Sequence, residues 1–161
     1  MTTILHLNSS VRSTDSISRQ LTGEFVQKLQ AAHAGARVIE RDLAQQPVPH
    51  LSEQMMGAYF TPAEQRSDEQ KRIVQLSDDL VAELQSADIV VIGAPMYNFS
   101  VSSTLKAWID HVARAGVTFK YGAHGPEGLL KDKKLFVFTS RGGVYSEGPA
   151  KSMDFHETYL R

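Results

Sequence analysis

Asp88-Ile89-Val90-Val91-Ile92-Gly93 constrains the fold more than any other segment of the chain. Its four central residues are all apolar and β-branched. A strand with no polar face must be covered on both sides, which marks the middle of a parallel α/β sheet. The flanking sequence supplies the cover. Residues 3–7 and 36–41 read as two more strands, and 134–139 as a fourth. Ile17, Leu21, Phe25 and Leu29 recur every fourth residue, as on one face of a helix. Ile73, Leu76, Leu80 and Leu84 predict a second helix over 62–85, with Pro62 in its first turn. Val101, Leu105, Trp108, Ile109 and Val112 predict a third, and a last helix begins near Ser152.

Strands alternating with helices imply βαβ units. The reading is one α/β domain over residues 1–161: a doubly wound parallel sheet in three αβα layers, strand order 2-1-3-4. A fold of this kind normally has a fifth strand, but the sequence after 139 reads as a loop and a helix, so 134–139 is expected as an exposed edge strand. The connection 43–61 is long and carries Met55, Met56, Tyr59 and Phe60. It reads equally as a lid or as a short helix packed on the core.

Composition excludes several classes. The net charge is −1, so no global basic field points to nucleic acid or to an anionic membrane. With no cysteine there is no disulfide, thiolate metal site or cysteine nucleophile. The histidines show no metal-ligand spacing. The N-terminus has no secretory pattern, and the run 89–94 is too short to span a bilayer. A cytoplasmic protein is expected.

Ligands of open parallel sheets sit beyond the carboxyl ends of the strands, so the strand-end loops carry the functional reading. After the first strand, residues 8–18 hold five serines, a threonine and Arg12 before a helix opens. Such hydroxyls and helix N-terminal amides suit one phosphate; they also suit turns and caps. After the third strand, Met96, Tyr97, Asn98 and Phe99 form an aromatic loop that can stack on a flat ring or pack inward. After the fourth, Ser140-Arg141-Gly142-Gly143 offers close backbone approach and two amides, or simply a glycine turn. The three loops converge, and together they match the needs of a flavin mononucleotide.

In these segments the chain resembles the FMN-dependent NADH-azoreductases, which are also NADH:quinone oxidoreductases, of the flavodoxin-like superfamily. The resemblance rests on Asn8-Ser9-Ser10 with Ser16-Ile17-Ser18, on 94–99, on Ala113-Arg114-Ala115-Gly116-Val117-Thr118-Phe119, on 125–129 and on 139–143. It implies that Ser10, Ser16, Ile17 and Ser18 hold the FMN phosphate. Met96, Tyr97, Asn98 and Phe99 would line the isoalloxazine, and Ser140, Arg141, Gly142 and Gly143 would close its other edge. Phe119 and Tyr121 are candidates for the substrate-side wall of a homodimer with its site at the subunit boundary.

The chemistry implied is a two-step cycle in which NADH donates hydride through the flavin and a quinone or azo compound takes the electrons. No acid–base residue is required, because the cofactor carries the chemistry. His111 and His124 are weak candidates for proton delivery, and each reads more readily as an ordinary surface or helix histidine. The alternatives are a non-enzymatic electron carrier of flavodoxin type, against which the near-neutral charge argues, and a truncated flavin-binding domain without turnover. A phosphoacceptor domain would need acidic residues where this chain has Asn8-Ser9-Ser10 and Ala94-Pro95. A serine hydrolase would need a G-x-S-x-G turn, which is absent.

Overall fold

The computed structural model describes residues 1–161. At its centre lies β3 (Ile89–Pro95), all seven residues buried. It is flanked by β1 (Thr3–Asn8) and β6 (Lys134–Ser140), and β2 (Arg37–Asp42) pairs with β1. All pairings are parallel, in the order β2-β1-β3-β6. This is the expected 2-1-3-4 order, with β6 as the fourth strand of the sheet. The register sets Asn8 opposite Gly93 and Pro95 opposite Ser140. The three site loops thus leave the sheet side by side. On the outer strand β6, Leu135 is 58% exposed, as expected for an edge.

Side chains alternate across the sheet with period two. Leu5, Leu7, Val90 and Ile92 face α3 (Asp68–Ser86) and α4 (Ser103–Val112), where they pack with Leu80, Leu84, Leu105 and Trp108. Ile4, Ile89 and Val91 face the other way, against Val26 of α1 (Ile17–Ala32). The result is the three-layer arrangement. Each fully buried aliphatic side chain stabilises it by about 1.5–3 kcal/mol.

Several helix expectations shift. In α1 the buried residues are Ser18, Thr22 and Val26, while Ile17 and Leu21 of the apolar stripe are 57% and 41% exposed. The cause is close packing on β3. A Cβ on Gly93 would meet Ser18 O, Thr22 Cγ2 and Asn8 Oδ1, each at 3.4 Å. Only small residues fit there, so hydroxyl side chains turn inward. Helix α3 starts at Asp68, not Pro62: Ala63–Gln65 form a 3₁₀ turn, and Ser67 with Gln70 makes a capping box. Its Leu76 faces outward, and Val74, Ser77 and Val81 are buried with Leu80 and Leu84. The α4 stripe is as expected.

The long connection holds a short helix, α2 (Glu53–Phe60), capped by Ser52 and buried at Ala58. Between α4 and β6 lies an unexpected hairpin, β4 (Phe119–Gly122) with β5 (Gly125–Gly128). The last helix, α5 (Phe155–Leu160), starts later than Ser152, after a 3₁₀ turn, where Asp154 caps it. No helix is long and apolar enough to cross a membrane.

Candidate functional site

The loop after β1 is anchored before it reaches any ligand. Ser9 donates from its hydroxyl to Gly93 O at 2.7 Å, and its N–H reaches the same carbonyl at 3.1 Å. Ser16 then caps α1, accepting from Arg19 N. The amides of Ile17 and Ser18 have no protein acceptor, as expected in the first turn of a helix. They leave two donors and the positive end of the helix dipole directed at the loop. Arg12 stands exposed beside them. Arg19 makes a two-pronged pair with Asp42 at 2.7 and 2.8 Å and also donates to Ser10 O of the loop at 2.7 Å. That pair raises the Arg19 pKa and holds the Asp42 carboxyl below its ordinary value.

The aromatic loop is tied to this serine loop. Tyr97 Oη lies 3.3 Å from Ser10 Oγ and accepts from Val11 N at 3.3 Å. Tyr97 and Ser100 exchange backbone hydrogen bonds around a tight turn. Its central residues, Asn98 and Phe99, have φ of +49° and +70°. Asn tolerates this region; a phenylalanine there is strained by about 1–3 kcal/mol. The loop is thus held in an unfavourable shape by its surroundings. On the other side, Met96 N donates to Ser140 O at 2.8 Å, joining it to the third loop.

One cavity of about 200 Å³ collects eight of the twelve residues expected from the sequence: Ser10, Ser16, Ile17, Met96, Tyr97, Ser140, Arg141 and Gly142. Asn98 and Tyr97 line an adjoining cavity of about 600 Å³. Ser18 is buried behind the cavity lining, its hydroxyl 3.3 Å from Ser16 Oγ. Phe99 packs edge-on against Tyr145, and Tyr145 also covers Gly143. The Arg141 guanidinium is paired with Asp154 at 2.6 Å and Glu157 at 3.2 Å.

Phe119 and Tyr121 stand apart. They line an apolar groove of about 240 Å³ with Leu51, Met56, Tyr59 and Phe60, and no residue is shared with the serine cavity. Below the groove Arg114 lies 4.5 Å over the Tyr59 ring and binds Ser77 Oγ and Asp78. His111 is fully buried, sharing a hydrogen bond with Tyr59 Oη at 2.7 Å and reaching Pro49 O at 2.9 Å. It is thus a buried helix histidine, bonded away from the serine cavity, in line with the reading favoured over proton delivery. His124 is exposed in the hairpin turn and lines neither cavity.

Sequence reasoning missed Asp154 and His156. The spacing Asp154-x-x-Glu157 before a helix was the available signal for the first. His156 is fully buried with neither ring nitrogen partnered. Burial holds its pKa below the ordinary value, with nearby Arg141 acting the same way. The unfolded chain takes up this proton more readily than the folded one, so stability declines as pH falls through about 6.5. Replacing His156 with leucine is expected to flatten that part of a melting-temperature profile; identical slopes in both proteins contradict the assignment.

The chain matches the model of the flavodoxin-like fold family over residues 2–161. It is 65% identical over 161 residues to the FMN-dependent NADH:quinone oxidoreductase of Herminiimonas arsenicoxydans, covering 100% of this chain and 79% of that protein. The protein of the same name from Paraburkholderia phymatum is 56% identical over 152 residues, covering 94% of this chain and 77% of its own length. Among solved structures, the azoreductase from Bacillus anthracis str. Sterne superposes with a TM-score of 0.89 at 33% identity, over 99% of this chain and 78% of that one.

Proposed function

Because the chain belongs to the flavodoxin-like fold family, with relatives named FMN-dependent NADH:quinone oxidoreductases matching it from end to end, we propose that it is an FMN-dependent enzyme that uses NADH to reduce quinones and cleave aromatic azo bonds. The observation that carries this is the single cavity shared by the serine loop, the aromatic loop and the Ser140–Gly142 segment.

The residues present fit FMN. Two hydroxyls, two amides without protein acceptors and an exposed arginine match the donor needs of one phosphomonoester. Ser10, Ser16, Ile17 and Ser18 would hold it, and Arg12 would add counter-charge. Met96, Tyr97, Asn98 and Phe99 would flank the ring on one side, and Ser140, Arg141, Gly142 and Gly143 would close its far edge. Nothing stands within 4 Å of a Cβ built on Gly142, so a planar ligand can approach its backbone. Once bound, FMN supplies the redox chemistry, accepting hydride from NADH and passing electron pairs to the acceptor. The protein's own work is to hold phosphate and ring in one register, through the Tyr97–Ser10 and Met96–Ser140 hydrogen bonds.

The whole chain acts as one FMN-binding domain in this reading, in the cytoplasm where NADH is available. A second copy completes it. Phe60 and Tyr121 leave the apolar groove 75% and 77% exposed, and a groove of that character suits burial in a homodimer. Phe119 and Tyr121 would then wall the substrate side of the partner's site. The test is NADH oxidation with a benzoquinone acceptor at several protein concentrations. FMN-dependent turnover, with activity per chain falling on dilution, is expected. FMN binding without turnover would favour the electron carrier, and activity per chain independent of concentration would argue against the shared site.

A further inference from the structure

The two loops expected at the ring have a common support outside the site. Phe155 N donates to Phe99 O at 3.1 Å, so the first residue of α5 holds the strained aromatic turn. One residue earlier, Asp154 splits its carboxylate between two tasks. Oδ1 accepts from the amides of His156 and Glu157 at 3.1 and 3.0 Å, capping α5. Oδ2 accepts from Arg141 Nη1 at 2.6 Å, which fixes the loop after β6. The Asp154 and Arg141 side chains are only 12% and 16% exposed. The amides of His156 and Glu157 and the Arg141 cation also hold the Asp154 carboxyl below its ordinary pKa.

From this geometry we infer that Asp154 is a positioning residue: one carboxylate sets the aromatic turn at Asn98 and Phe99 and the Arg141–Gly143 loop at a fixed spacing, ready for the flavin ring. It acts through Arg141 and α5 and touches no ligand itself. Without the Asp154 charge, Arg141 keeps only the longer contact to Glu157, whose side chain is 46% exposed. The Arg141 guanidinium is then free to swing toward the cavity it lines. Phe99, at φ +70°, is at the same time less firmly held in a conformation that is unfavourable on its own.

The inference rests on the FMN reading for its ligand, and its test separates the two. Asp154→Asn keeps an N-cap side chain and removes the charge that pairs with Arg141. Two measurements are made on it. The first is amide hydrogen exchange without FMN. Faster exchange at Met96, Ser100 and Phe155 than in the parent chain is expected, with α3 unchanged. Equal protection overturns the inference whatever becomes of FMN. The second is FMN affinity by fluorescence quenching, with the visible absorption band of the bound flavin. About tenfold weaker binding and a shifted band are expected, with the melting temperature of the apoprotein changed little. Wild-type affinity with an unshifted band overturns the positioning role. A parent chain that binds no FMN overturns the flavin reading but leaves the exchange result to decide the support. Should Asp154→Asn fail to fold, Arg141→Gln, which breaks the same contact and keeps the Asp154 cap, takes its place. Faster exchange at Met96 without FMN supports action through Arg141, and parent-like exchange there overturns it.

Discussion

Ser16→Asp is expected to abolish FMN retention while leaving the fold intact. Ser16 lines the cavity and caps α1. Aspartate is an equally good cap, and its charge is favourable at a helix N-terminus. The helix therefore keeps or gains stability. A phosphate in the same place meets a carboxylate. Two like charges about 4 Å apart repel by about 4 kcal/mol at an effective dielectric of 20. Allowing for water and salt, affinity falls by at least about 100-fold, or about 2.7 kcal/mol. Titration with FMN, beside a thermal melt of the apoprotein, separates the two effects. Loss of both binding and stability would point to a merely structural serine, and retained binding would remove the phosphate from this loop.

The largest effect on stability is expected at Arg114. Its side chain is 5% exposed, and it binds Ser77 and Asp78 of α3 and stacks on Tyr59 of α2. Its backbone N–H donates to Thr118 Oγ1 at 2.9 Å, fixing the turn before β4. Arg114→Ala removes the cation, leaves Asp78 unpaired and opens a void beneath the groove. Asp78 is 48% exposed and water takes over its charge, so the cost is that of the lost hydrogen bonds and packing, about 2 kcal/mol, or roughly 4–8 °C in melting temperature for a chain of this size. Arg114→Lys is expected to recover only part of it, because an ammonium cannot stack on the ring and reach Ser77 in the same way. A melt shifted by a degree or two in either variant would show that the network contributes little.

The sheet could be read from the sequence because its strands are short apolar runs whose burial requires little else. The site loops could be read because strand order dictates where ligands sit, and Ser10, Ser16, Met96, Tyr97 and Ser140 do meet in one cavity. The face of α1 could not. Apolar spacing selected Ile17 and Leu21, whereas the close approach to Gly93 buries Ser18 and Thr22. Hydroxyl residues are invisible to a hydrophobic pattern. The Arg114 network joins side chains far apart in sequence, Ser77 and Asp78 lying 37 and 36 residues away and Tyr59 farther still, with no local signal. His111 reads from sequence as a candidate proton donor, but only tertiary contacts reveal that it is a buried strut between Tyr59 and Pro49.

The central claim is that three strand-end loops of this chain form one FMN site. The most direct test is the visible absorption spectrum of the purified protein after FMN addition and desalting, followed by anaerobic NADH. The account predicts a retained flavin spectrum at about one FMN per chain, bleached by NADH. A colourless protein after desalting would contradict it.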